Sequence, residues 1–265
     1  MTSIAKACIA VLNTADPYAK VMAARAAARD WFRGRLVHAF DMTPPDAPAR
    51  PARPELLHPA QMPRRKKMGS ETSRIAMLHA LAHIEFVAID LAFDLVARFG
   101  DQFPPEFVDD WMKVGADEAM HFALLDRRLR SCGSHYGALP AHDGLWDAAR
   151  ATAHDAMARL AVVPMVLEAR ALDITPMTVD RIRAIGDESS ARMLTRILND
   201  EIRHVAAGTK WFDLAANRAG LDPPKHYQML VIRHFRGRVK PPFNDSARRR
   251  AGLTLEYYAA LASDA

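Results

Sequence analysis

The sequence step from Glu85 to Glu118 is repeated between Glu168 and Glu201. Glu118 lies in Asp117-Glu118-Ala119-Met120-His121, and Glu201 lies in Asp200-Glu201-Ile202-Arg203-His204. One constant offset carries Glu85 onto Glu168, Glu118 onto Glu201 and His121 onto His204. Four carboxylates and two imidazoles in this register are what four helices supply when they build a two-metal site in a bundle core. Oxygen and imidazole nitrogen donors suit iron, manganese or zinc. Each Glu-x-x-His pair puts both side chains on one helix face, where they can bind one ion. Glu85 and Glu168 complete the shell and can bridge. Chance gives about 0.4 Glu-x-x-His matches in a chain with this many Glu and His, so one match says little. Two matches at a shared offset, each with a further glutamate, say much more.

The elements that must position these residues are helices. The spacing predicts four long ones, over residues 70–99, 104–131, 143–172 and 187–218, with Gly100, Gly133 and Gly220 at or beyond their ends. Each carries an apolar stripe at steps of three and four. The stripes run Leu78, Ala82, Glu85, Ile89; Trp111, Val114, Glu118, His121, Leu125; Ala161, Met165, Glu168, Leu172; and Ile197, Glu201, His204, Trp211. The candidate ligands therefore sit on the faces that turn inward. A buried carboxylate costs several kcal/mol unless it is paired or neutralised, so four of them call for metal cations. A ligating His usually donates its other N–H to a carboxylate. Asp117 is expected to support His204, and Asp200 to support His121. Arg203 can hold that network by a charge-assisted bond. Met120 occupies the place matching Arg203, so the two halves are chemically unequal.

Around the bundle, two short N-terminal helices are expected, split at Asp16-Pro17 as N-cap and first helical residue. Seven prolines between Thr43 and Ser70 rule out a helix there, and the segment reads as an arm wrapped on the surface. It ends in the basic cluster Arg64, Arg65, Lys66 and Lys67. Thr175-Pro176 reads as the start of a separate short helix, closed at Gly186. After Pro223-Pro224 comes a basic, aromatic tail, and then a last helix over about 245–261. The expected division is residues 1–69 for the N-terminal helices and arm, 70–219 for the bundle, and 220–265 for the tail and last helix.

Composition bounds the rest. The chain has 265 residues, half of them hydrophobic, with net charge +5 and two cysteines, Cys8 and Cys132. Two cysteines make no disulfide framework or metal-binding pair, which fits a reducing, cytoplasmic setting. No apolar run reaches the roughly 20 residues that span a bilayer. The stretch from Ile4 to Leu12 reads as a helix, not a leader. His79 and His83 share a face but point away from Glu85, and are read as contacts to the arm or tail. Arg170 and Asp173 read as a helix-surface ion pair, with lining of a substrate entrance as the alternative.

The paired motifs resemble the ferritin-like di-iron carboxylate superfamily, over about residues 70–215. The segments His79-x-x-x-His83-Ile84-Glu85-Phe86, Val166-Leu167-Glu168-Ala169-Arg170 and Asp200-Glu201-x-x-His204 resemble a bacterial ferritin-like family of unknown function. That family is distantly similar to the di-iron hydroxylase acting on isopentenyl-adenosine in tRNA. The resemblance implies an all-α, ferritin-like four-helix bundle with two metal ions. Iron is favoured; manganese or a mixed iron–manganese pair fits the same ligands. It further implies reaction with dioxygen and nothing firm about the substrate, since one fold hosts many chemistries. The partners expected are dioxygen, an unidentified substrate and an electron-donor protein. An oxidoreductase is the leading expectation; iron oxidation without an organic substrate, or a metal-stabilised binding protein, are the alternatives. The basic arm and tail keep RNA as a minor option, although no RNA-binding module is recognisable.

Overall fold

The computed structural model describes residues 1–62 and 70–262. The basic cluster at residues 64–67 lies outside them. The fold is all-α, as expected; among the described residues the only strands are β1 (Thr2–Ser3) and β2 (Leu36–Val37), which pair in parallel. The chain forms two compact units, Met1–Asp147 and Ala148–Ala265.

The first unit begins with α1 (Ile4–Leu12) and α2 (Pro17–Phe32). Ser3 and Asp16 cap them by accepting from the Lys6 and Ala19 amides. Then come the two helices that carry the first motif, α3 (Glu71–Phe99) and α4 (Pro105–Ser131). Ser70 caps α3 by accepting from the Ser73 amide, and Pro105 opens α4 at a position where its missing N–H costs nothing. The connection between them is short, residues 100–104, so the helices are antiparallel neighbours. Their approach is close at Gly115. A Cβ there would lie 2.6 Å from the Phe93 ring. Helix α3 is buried along most of its length, because α1 covers it as well as α4.

The Pro-rich arm lies along this unit, as the prolines predict. The Ala49 amide donates to the Leu12 carbonyl, and the Arg98 guanidinium donates to the Pro45 carbonyl at 3.0 Å. Arg50 reaches in to meet Asp90 of α3, which also binds Lys20 of α2. Both Lys20 and Asp90 are completely buried. Burial raises the Asp90 carboxyl while the two cations pull it down, and burial lowers the Lys20 ammonium while Asp90 raises it. The three side chains are therefore a unit: each offsets the desolvation of another.

The second unit departs from the expected third helix. Residues 143–172 are not one helix. Helix α5 (Gly144–Ala151), which carries the chain from one unit into the next, ends before Asp155. Asp155 then caps α6 (Ala156–Val162). A π-helical turn follows at Val163–Glu168, and α7 (Ala169–Ala184) continues from it. The physical cause is Pro164, which has no N–H and crowds the preceding turn. In an α-helix the Ala169 amide would bond to the Met165 carbonyl. Here it bonds to Pro164, and the Met165 carbonyl accepts the Tyr227 hydroxyl at 3.2 Å.

Thr175-Pro176 does not begin a helix; α7 runs through it. Pro176 cannot donate to the Leu172 carbonyl, and the Asn244 side-chain amide supplies that bond at 3.1 Å. A proline that should break a helix is thus tolerated because a distant segment replaces the hydrogen bond it removes. The long α8 (Glu188–Arg218) follows, capped by Asp187.

The tail after Asp222 is also more helical than expected. Asp222 and Pro223 start α9 (Pro223–His234), which packs on α6. The last helix is two, α10 (Asp245–Arg250) and α11 (Leu255–Ala262), divided at Gly252, whose φ of +75° suits glycine. Arg170 and Asp173 form the expected ion pair, at 3.5 Å, but Asp173 is buried and both side chains have further partners. The Arg248 guanidinium of α10 forks onto buried Asp173 at 2.8 and 2.7 Å, and Arg170 donates to the Lys240 and Pro242 carbonyls at 2.8 and 3.0 Å. Together they fasten the C-terminal segment to α7.

Candidate metal centre

Helix geometry explains why the first motif converges. Glu85 precedes the end of α3 at Phe99 by nearly the same stretch of helix as Glu118 follows the start of α4 at Pro105. At about 1.5 Å per residue these heights are about 21 and about 20 Å, so the two carboxylates meet across the antiparallel pair. His121 lies one turn beyond Glu118 on the same face. Each of the three side chains offers a ligand atom within 4.8 Å of the others, and all three are buried. His121 Nδ1 stands 3.2 Å from a Glu85 oxygen and 3.5 Å from a Glu118 oxygen.

The electrostatics follow from burial. Desolvation raises Glu85 well above the usual carboxylate range, and the charge of Glu118 adds to the rise; the bond to His121 acts against both. Burial alone would lower His121, but its bonds to Glu118 and Glu85 win and carry it up to about 11. Two buried carboxylates that cannot both ionise without a counter-charge, with an imidazole on the same spot, form a donor set for a hard or borderline cation. This buried group can hold a metal ion. The site is closed to solvent: Glu85, Glu118 and His121 are all buried.

In the second unit, Glu201 and His204 lie on the inward face of α8, both buried, with His204 Nδ1 3.6 Å from a Glu201 oxygen. Glu168 closes the π turn and is half-buried. It precedes the end of α7 at Ala184 by about 24 Å of helix, while Glu201 follows the start of α8 at Glu188 by about 20 Å. The equal sequence step therefore does not give equal heights in the two units. Taken by itself, the second unit brings no three such side chains to within 4.8 Å among the described residues. Asp200 is buried and accepts from Arg203 at 2.6 Å, so Arg203 does hold this aspartate. Asp117 is half-buried beside Glu118.

His79 and His83 face more than the arm, of which Arg50 acts on His83 through its charge. They hold the loop after α4. His79 Nε2 accepts from the Gly137 amide at 2.9 Å, and His83 Nδ1 pairs with the Tyr136 hydroxyl at 2.9 Å. Both rings stack on Tyr136, which also meets Phe86 and Phe122. Sequence reasoning missed Tyr136, because a single tyrosine in a loop, between His135 and Gly137, carries no periodic signal.

Residues 13–259 match the family described as "Protein of unknown function (DUF455)", and the chain belongs to that family. It is similar to an uncharacterised protein of Haemophilus influenzae, 40% identical over 210 residues, which covers 77% of this chain and 73% of that protein. No solved structure matches the chain. No helix of the described residues is long and apolar enough to cross a membrane.

Proposed function

We propose that the chain is a ferritin-like, dinuclear-metal oxidoreductase that uses dioxygen to oxidise or hydroxylate an organic substrate. The observation that supports it best is the convergence of buried Glu85, Glu118 and His121 across α3 and α4. The proposed ligand set adds the matching residues of the second unit, Glu168, Glu201 and His204, for two ions in all, with iron the favoured metal and manganese or a mixed pair as the alternative fillings. Bound iron would supply the electrons that dioxygen requires.

The remaining work belongs to the chain. Glu85 and Glu118 neutralise positive charge in a dry setting, where that interaction is stronger than in water. His121 must give up its proton to act as a ligand, so metal entry releases protons. Asp117 and Asp200 are assigned to orient His204 and His121, with Arg203 fixing Asp200. Burial of Glu85, Glu118 and His121 keeps bulk water from the first ligand set. An electron-donor protein is required for repeated turnover.

Anaerobic purification, iron titration and metal analysis test the proposal. Two irons per chain are expected, with an absorbing species on an oxygen pulse. Glu118→Ala and His121→Ala should each lower the stoichiometry while the far-ultraviolet circular dichroism stays helical. A chain that binds one metal or none with all six residues intact would refute it. Two bound irons that turn over oxygen only while ferrous iron is consumed would refute the organic substrate.

A further inference from the structure

A second site lies within the second unit, and nothing in the metal reading uses it. A cavity of 150 Å³ is floored by Met165, Val166 and Leu167 of the π turn. Four cations line it: Arg170, Arg238, Lys240 and Arg248, of which Arg170 and Arg248 pair with buried Asp173 behind the wall at 3.5 and 2.7 Å. No Asp or Glu is among its lining residues. The rest of the lining is largely apolar and includes the rings of Phe235 and Phe243.

Its shape is built rather than incidental. Tyr227, fully buried, ties α9 to the floor through the Met165 carbonyl. Arg170 holds the loop that forms the opposite wall by the Lys240 and Pro242 carbonyls. Arg248 is locked on Asp173 and lies over the Phe243 ring, 4.9 Å from its centre. The walls are thus fixed before any ligand arrives, which lowers the entropic cost of binding. Arg238 and Lys240 are the two exposed cations of the lining.

We propose that this cavity binds a small organic oxyanion: a phosphate or carboxylate group on a body of about one ring. Guanidinium and ammonium groups recognise such oxyanions, and aromatic and aliphatic walls take the body. A cavity of about 150 Å³ is the size that accepts benzene. The proposal does not rest on the metal centre, and its test needs no metal.

The test uses the full chain without added metal, titrated calorimetrically with phenyl phosphate, benzoate, inorganic phosphate and phenol. At least one ring-bearing anion should bind at a single site, at least tenfold tighter than inorganic phosphate and phenol. Phenyl phosphate and benzoate together tell whether phosphate or carboxylate is the preferred head group. The charge reversal Arg238→Glu/Lys240→Glu should weaken binding tenfold or more. Because both residues are exposed, the variant should fold as the parent does. The reversal Arg127→Glu/Arg130→Glu, on α4, should leave binding unchanged. No saturable binding of either ring anion, equal affinity for inorganic phosphate, or indifference to the Arg238→Glu/Lys240→Glu reversal would overturn the proposal. So would binding of single-stranded RNA by a chain that ignores both ring anions.

Discussion

Gly208→Ala tests the close approach of α8 to the π turn. A methyl group built at Gly208 lies 2.6 Å from Pro164 Cβ, 2.7 Å from Pro164 Cγ and 3.5 Å from Met165 Cγ. Carbon atoms settle at about 3.5–4.0 Å, so the two segments must part by about 1 Å. Pro164 is buried and its ring is rigid, which leaves the backbone to move. Overpacking of this kind costs about 1–3 kcal/mol. Alanine returns about 1 kcal/mol through its better helix propensity. The net expectation is a loss of up to about 2 kcal/mol, which for a chain of this size lowers Tm by up to about 8 °C. Thermal unfolding followed by circular dichroism measures it. If the variant were more stable by the full propensity gain, the helix could not lie against Pro164, and the account of the π turn would fail.

Two further outcomes follow from buried polar groups. Asp90→Asn should cost about 3–5 kcal/mol, because it leaves Lys20 buried without its charge partner; Lys20→Met added to it should recover part of that loss. Urea unfolding of the single and double variants checks this, and equal midpoints would contradict it. His79 is held neutral, its imidazole lowered to about 4 chiefly by burial and next by His135. A histidine lowered on folding binds fewer protons than the unfolded chain, so its stabilisation is present above about pH 6.5 and is lost as pH falls toward 4. With allowance for solvent screening this amounts to about 1–2 kcal/mol. Unfolding between pH 7 and 4 should show that slope, and His79→Gln, which keeps an acceptor for the Gly137 amide, should flatten it.

The parts of the fold written in periodic apolar steps were legible in the sequence. Helices α3, α4 and α8 lie where their stripes and caps place them, and the stripes bury Glu85, Glu118, Glu201 and His204. Local signals misled where a distant segment decides the outcome. Thr175-Pro176 has the residues of a helix start, but Asn244 serves the carbonyl that Pro176 abandons, so the helix continues. Asp222-Pro223 has the same signature and does start a helix. The short reach of such a motif cannot separate the two cases. Pro164 gave no warning either: a π turn depends on a carbonyl partner, Tyr227, that is 62 residues away in sequence. The meeting of Glu85 with Glu118 could be anticipated from helix length and a short connection. The contacts of Tyr136, which lies in a loop, could not.

The π turn also sets the phase of everything after it. Each residue of an α-helix advances the side chains by about 100°, so a π turn acts as a one-residue insertion absorbed without breaking the rod. Upstream, residues 158–166 are buried on every side; downstream, burial falls on Ala169, Leu172, Val179 and Ile182, a single stripe. Wound as a plain α-helix with every residue kept, the segment would turn that stripe, along with Asp173, by about a quarter of a circle. Arg248 would lose its partner and Val179 would face water. The segment therefore works as a phase adjuster, letting one helix obey two burial patterns whose spacing no uniform winding could satisfy.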